Sequence, residues 1–177
     1  MSRFILFFLL VVCISVAQAA NATTYKLSEL RVEYLAASKD EEAANQFYDK
    51  MEKYTGKEPV VLGYKAASEA VMAKYVWNPY FKMKHLNAAM DLFEEAVSLN
   101  RENPEIRFLR FIVEYHIPGY LNMSQHMAED KAIVIEGLVE HPKSGINTAL
   151  AQTMRNVLLE KERCTPEEKE LLKSLKI

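Results

Sequence analysis

From residue 20 onward the apolar residues recur every third or fourth position, and nowhere do they alternate over the length of a strand. A chain patterned this way buries its apolar surface as helices. Leu27, Leu30, Tyr34 and Leu35 make a first stripe that ends near Ala37. A second, through Ala44, Phe47 and Met51, is stopped by Gly56. Proline at the first helical position announces three more starts, at Pro59, Asn78-Pro79 and Asn103-Pro104. Ser124, Ser144 and Thr165-Pro166 predict the last three, with Ser124 and Ser144 as capping residues. Eight helices follow, joined by short connections, hence four antiparallel pairs. The caps expected before the second helix of each pair are Ser38, Asn78, Ser124 and Thr165, about forty residues apart. The predicted fold class is all-α: helical hairpins stacked as a short α-solenoid, each covering its neighbour's apolar face.

Residues 1–19 read as a secretory signal. Arg3 precedes the run Phe4-Ile5-Leu6-Phe7-Phe8-Leu9-Leu10-Val11-Val12, and Ala17-Gln18-Ala19 fits a cleavage site that admits only small residues. The run is shorter than the ~20 apolar residues of a membrane span. The domain is therefore 20–177, exported to a periplasm or secreted, with no integral span after cleavage. Loss of Cys13 with the signal leaves Cys164, which cannot close an internal disulfide. The sequons Asn21-Ala22-Thr23 and Asn122-Met123-Ser124 read as chance matches. With 22 basic and 24 acidic residues the chain lacks the positive excess of a nucleic-acid binder.

Ala89, Phe93 and Ala96 resemble the second helix of a tetratricopeptide repeat, in which small residues admit the partner helix and an aromatic ring fills the gap. Leu62-Gly63 resembles the Leu-Gly pair of its first helix, although Gly63 and Ala89 stand further apart than in the family. Residues 58–140, with Trp77-Asn78-Pro79-Tyr80 and Glu105-Ile106-Arg107-Phe108-Leu109-Arg110-Phe111, are similar to a group of exported bacterial proteins with tetratricopeptide-like repeats. The resemblance implies a helical-repeat fold, an exported location and a concave groove, lined by the first helix of each pair, that binds a peptide or protein.

No catalytic, metal-binding or phosphate-binding motif stands in the sequence, so no cofactor and no catalytic residue is assigned. His126 and Asp130 share a helix face, and Glu114 and His116 precede the turn before it. That spacing is too loose for a metal site. The best binding candidates are Arg107, Arg110 and Glu114 on one face of the fifth helix, opposite Phe108 and Phe111, with Tyr64 and Lys65 on the third helix beside them. Two arginines there would fork onto a peptide carboxylate or an acidic side chain. The plainer reading is an exposed stripe in which Arg110 pairs with Glu114. Trp77 is a further candidate contact. With Tyr80 and Phe81 it reads more simply as a plug between hairpins. The alternative function is a small-ligand-binding or hydrolytic helical bundle with a pocket near Trp77, Arg107 and His116.

Overall fold

The computed structural model describes residues 25–177. The expected signal over 1–19, with Cys13, and the first sequon lie outside the described residues. Among the described residues there are eight α-helices and no strand: α1 Leu27–Ala37, α2 Glu41–Glu52, α3 Pro59–Tyr75, α4 Pro79–Leu99, α5 Pro104–His116, α6 Met127–Val139, α7 Thr148–Leu159 and α8 Pro166–Ser174. One 3-10 turn, Gly119–Leu121, follows α5.

Asn78 and Asn103 cap α4 and α5, and Pro79 and Pro104 occupy positions whose missing N–H costs nothing. Thr165 and Glu168 form a reciprocal capping box on α8. Three expected caps are corrected. Asp40, not Ser38, accepts the Ala43 N–H at 2.8 Å, because Ser38 already ends α1 and turns its hydroxyl back to the Leu35 carbonyl. Ser124 lies outside α6 and donates to the Glu114 carbonyl, tying the loop to the end of α5. Asn147 caps α7 in place of Ser144, because Gly145 has φ 78°, a left-handed backbone that no helix contains.

The hairpins α1/α2, α3/α4 and α5/α6 stack in sequence: α1 and α2 both pack on α3, and α3 packs on α5. Arg31, Tyr64 and Glu105 fix their direction. Each stands in the first two turns of its helix, yet the three side chains meet, so α1, α3 and α5 run parallel. Arg31 donates through Nε and Nη2 to the two Glu105 oxygens at 2.8 and 2.7 Å, and the Tyr64 hydroxyl donates to Glu105 Oε1 at 2.8 Å. Burial first, and the Glu105 charge second, push the Tyr64 phenol well above its ordinary pKa, so it remains a donor. Tyr64→Phe deletes one hydrogen bond to a buried carboxylate while Arg31 stays in place. We expect a loss of about 1.5 kcal/mol in urea unfolding.

The apolar residues form two cores that share α5. Ile106, Leu109 and Val113 enter the core built with α1 to α4. Phe108 and Phe111 enter the core built with α6, α7 and α8. The fourth hairpin departs from the stacking rule, since α7 and α8 both reach α6. The axis of the array is therefore α5, in which Arg107, Arg110, Glu105 and Glu114 are buried together with the apolar side chains.

Candidate functional site

Asp130, in the first turn of α6, is wholly buried, and it pairs with two arginines from α5. Arg110 grips it side-on: Nε donates to Oδ2 at 2.7 Å and Nη2 to Oδ1 at 2.8 Å. Arg107 Nη1 donates to the same Oδ1 at 2.8 Å. The bidentate geometry suits a guanidinium, whose fixed fork matches a carboxylate. Burial alone would lower the pKa of Arg110. The hydrogen bonds and charge of Asp130, with Glu94 and Glu114 behind, outweigh it and hold the guanidinium above its ordinary value. Such a pair contributes little net stability against an apolar replacement, but losing one partner is costly.

Around this hub sit three further carboxylates. Glu94 on α4 accepts from Arg110 Nη1 at 3.0 Å, and Glu129 on α6 from Arg107 Nη1 at 3.0 Å. Both are rim groups, with side chains 60% and 58% exposed. Glu114 is enclosed and takes two hydrogen bonds from His126, one from its backbone N–H at 2.9 Å and one at Nδ1 at 2.7 Å. A carboxylate only accepts, so Nδ1 carries the proton. Nε2 of the same ring lies 3.4 Å from Glu94 Oε1.

Helix α4 packs mainly on α3 and α6 mainly on α5, and the two scarcely touch each other. Between them, above the arginines, opens a hollow of about 260 Å³. Val97, Ser98 and Arg101 from the end of α4 form one wall, Arg107 and Arg110 the floor, and His126 the far side, with Glu94 and Glu129 at the rim. Arg107 Nε donates to the Arg101 carbonyl at 2.7 Å. Its Nη2 meets no acceptor among the described residues, although the side chain is only 3% exposed. It is not among the buried polar atoms sealed from solvent without a partner, and Arg107 is one of the residues that line the hollow.

Of the six residues expected to bind, the junction gathers Arg107, Arg110 and Glu114. The expected exposed stripe is corrected: all three are buried, and Arg110 pairs with Asp130 and Glu94 rather than with Glu114. Tyr64 is an interior donor to Glu105, on the other side of α5. Lys65 is half-buried and donates to the carbonyls of Glu52 and Tyr54, closing the end of α2. Trp77 is 93% exposed, so it plugs nothing. It precedes α4 by two residues, while the hollow begins at Glu94, about 25 Å further along the helix axis. His116 turns its Nδ1 to the Ile112 carbonyl at 2.7 Å. Trp77, Arg107 and His116 therefore share no pocket. The residue missed by sequence reasoning is Asp130, seen only as a helix neighbour of His126. A lone acid in the first turn of the helix that pairs with an arginine-bearing helix was the available signal.

Fold and junction together define a class: an all-α array of helical hairpins whose third pair is joined by buried charge and carries a hollow at that joint. Comparison with protein-family models, with curated proteins and with solved structures found no match. Function is read from the joint itself.

Proposed function

We propose that this chain is an exported, non-enzymatic helical-repeat protein that binds a peptide or protein partner by taking a carboxylate into the hollow beside Arg107 and Arg110. The observation that carries this reading is Arg107, a nearly buried cation that lines the hollow and whose Nη2 has no hydrogen-bond partner among the described residues. The hollow lies on the side of the second helices, α4 and α6, instead of along the row α1, α3, α5. Glu129 holds Arg107 from the rim through a carboxylate that is 58% exposed and open to water, so an incoming carboxylate displaces it at little cost. Asp130 keeps both guanidinium groups in register while this exchange occurs. Export is supported by the apolar run and the Ala17-Gln18-Ala19 site. A binding role without bond chemistry is supported by the reciprocal pairing that engages Arg110, Asp130, Glu114 and His126.

The test uses labelled short peptides lacking Asp and Glu, with either a free or an amidated C-terminus, and fluorescence polarisation. The free pool is expected to bind at least about tenfold tighter, the value of one charge-assisted contact. Arg101→Ala, an exposed change, weakens it. Glu129→Gln strengthens it, because the competing carboxylate is gone. Saturable binding of acetate with no added affinity for peptides selects the small-ligand reading of the same hollow. Equal binding of the free and amidated pools overturns the carboxylate assignment.

A further inference from the structure

Because α1, α3 and α5 run parallel, the turns that follow them, at 38–40, 76–78 and 117–126, emerge at one end of the array. Two contacts tie the first turn to the second: Lys74 Nζ donates to the Ser38 carbonyl at 2.8 Å, and the Tyr75 hydroxyl to the Ala37 carbonyl at 3.4 Å. On the second and third turns stand four large exposed rings: Trp77 at 93%, Tyr80 at 72%, Phe81 at 48% and Tyr120 at 86%. None belongs to either apolar core. Tyr80 and Phe81 lie edge to face, 5.4 Å between centroids. Leu121 and Met123, flanking Tyr120 in the same segment, pack onto the core that Tyr75 and Met83 also join. The third turn is thus anchored on the core of α1 to α5.

Charge is segregated at the same end. Between Glu69 and Asp91 there is no acidic residue, and Lys74, Lys82, Lys84 and His85 lie there. Between Glu114 and Glu129 there is again none. In a chain with more acids than bases, both ring-bearing turns are free of negative charge. Lys82 and Lys84 have no carboxylate partner among the described residues. The first turn is mixed, with Lys39 beside Asp40, Glu41 and Glu42.

The geometry points to this end as a surface that rests on an anionic lipid bilayer, with Trp77, Tyr80, Phe81 and Tyr120 among the headgroups and Lys74, Lys82 and Lys84 on the lipid phosphates. Tryptophan and tyrosine suit that layer because each ring has an apolar body and a polar edge. Lysines beside them gain from the negative surface potential. The rings sit on convex hairpin tips, which fit a plane better than they fit a strand or helix. In a second copy set face to face, the two ring-bearing turns would offer the unpaired lysines no counter-charge, and the acids of that end stand only on the first turn, at Asp40, Glu41 and Glu42. No described helix is long and apolar enough to cross a membrane, so the contact is peripheral. This inference stands apart from the carboxylate hollow, which opens at the far end of α4.

Trp77 is the sole tryptophan of the chain, so its emission reports this surface and no other. The full chain is titrated with vesicles of phosphatidylcholine, or of phosphatidylcholine and phosphatidylglycerol in equal parts. The expected result is a shift of emission to shorter wavelength on the anionic vesicles only, reversed by added salt. Lys82→Glu with Lys84→Glu weakens that binding at least about tenfold. Trp77→Ala lowers co-flotation with anionic vesicles while helicity, read by circular dichroism, is unchanged. Attachment of the chain with unshifted Trp77 emission overturns the proposal, since the rings then stay in water. An equal shift on neutral vesicles overturns it, as does a shift without lipid that grows with protein concentration, which assigns the surface to a second copy.

Discussion

Asp130→Ala is expected to remove about 3–5 kcal/mol of stability, the cost of stripping a buried charge of its partner. The side chains left behind, Arg107 and Arg110, are 3% and 2% exposed and lose three hydrogen bonds between them. Glu94 and Glu129 remain, but they are rim groups with one contact each to these arginines and cannot replace a carboxylate enclosed between them. Against a typical total of ~5–15 kcal/mol this is roughly a fifth or more of the whole. A midpoint fall of about 10 °C follows. Calorimetry or urea unfolding measures it. Glu129→Ala is the comparison and should cost under about 1 kcal/mol, because the lost carboxylate is exposed to solvent and Arg107 keeps Asp130. A triple variant, Asp130→Leu with Arg107→Met and Arg110→Met, should regain most of the loss, since an apolar set of similar volume avoids desolvating charge. Removing Arg107 and Arg110 alone leaves Asp130 enclosed without a counter-charge. Lost partner capture in that variant would report unfolding, which is why Arg101→Ala is the cleaner probe.

Two helical glycines should respond to the same substitution with opposite signs. At Gly137, on α6, an added Cβ would overlap the Pro104 ring and lie 2.8 Å from the Pro104 Cβ. That ring is fixed at the first position of α5 and cannot rotate away, so the helices must part. Overpacking costs about 1–3 kcal/mol, occasionally more. The gain in helix propensity, about 1 kcal/mol, does not cover the upper part of that range. Gly137→Ala is therefore expected to lose about 2 kcal/mol net, and to loosen the arginine junction, which sits on the same pair of helices. At Gly63, on α3, the added Cβ would stand 3.4 Å from Leu109 Cδ1 and 3.7 Å from Ile106 Cγ1, ordinary contact. Gly63→Ala is expected to be neutral or stabilising by up to about 1 kcal/mol. Paired urea titrations decide this. Equal effects at the two sites would contradict the helix spacing described above.

The helices were legible because their punctuation is local. Pro59, Asn78-Pro79, Asn103-Pro104 and Thr165 with Glu168 act within a turn of where they stand. Where two capping residues compete, as Ser38 and Asp40 do, local pattern leaves a choice that the preceding helix end resolves. The polar face of α5 was not legible. Periodicity separates Phe108 and Phe111 from Arg107 and Arg110, and a charged face reads as solvated by default. Its burial depends on Asp130, twenty residues on, arriving with the matching charge. Trp77 failed in the opposite direction. A ring in a loop reads as a plug, but whether a neighbouring hairpin covers it is a property of the stacking. Trp77 stands at a hairpin tip, where no neighbouring hairpin covers it. The motif-level resemblance pointed to the first helices as the binding side, whereas the hollow lies between the second helices, where α4 and α6 leave a wedge.

The most direct measurement is an acetate titration followed by the arginine side-chain N–H signals in nitrogen-15 NMR. If the hollow is a carboxylate acceptor built on a fixed arginine pair, the Arg107 Nη2 signals shift saturably as acetate enters. The Arg110 signals, held by Asp130 and Glu94, then stay where they are. If no arginine signal moves, or if Arg110 moves as far as Arg107, the hollow is not the acceptor and the junction is not the fixed platform proposed for it.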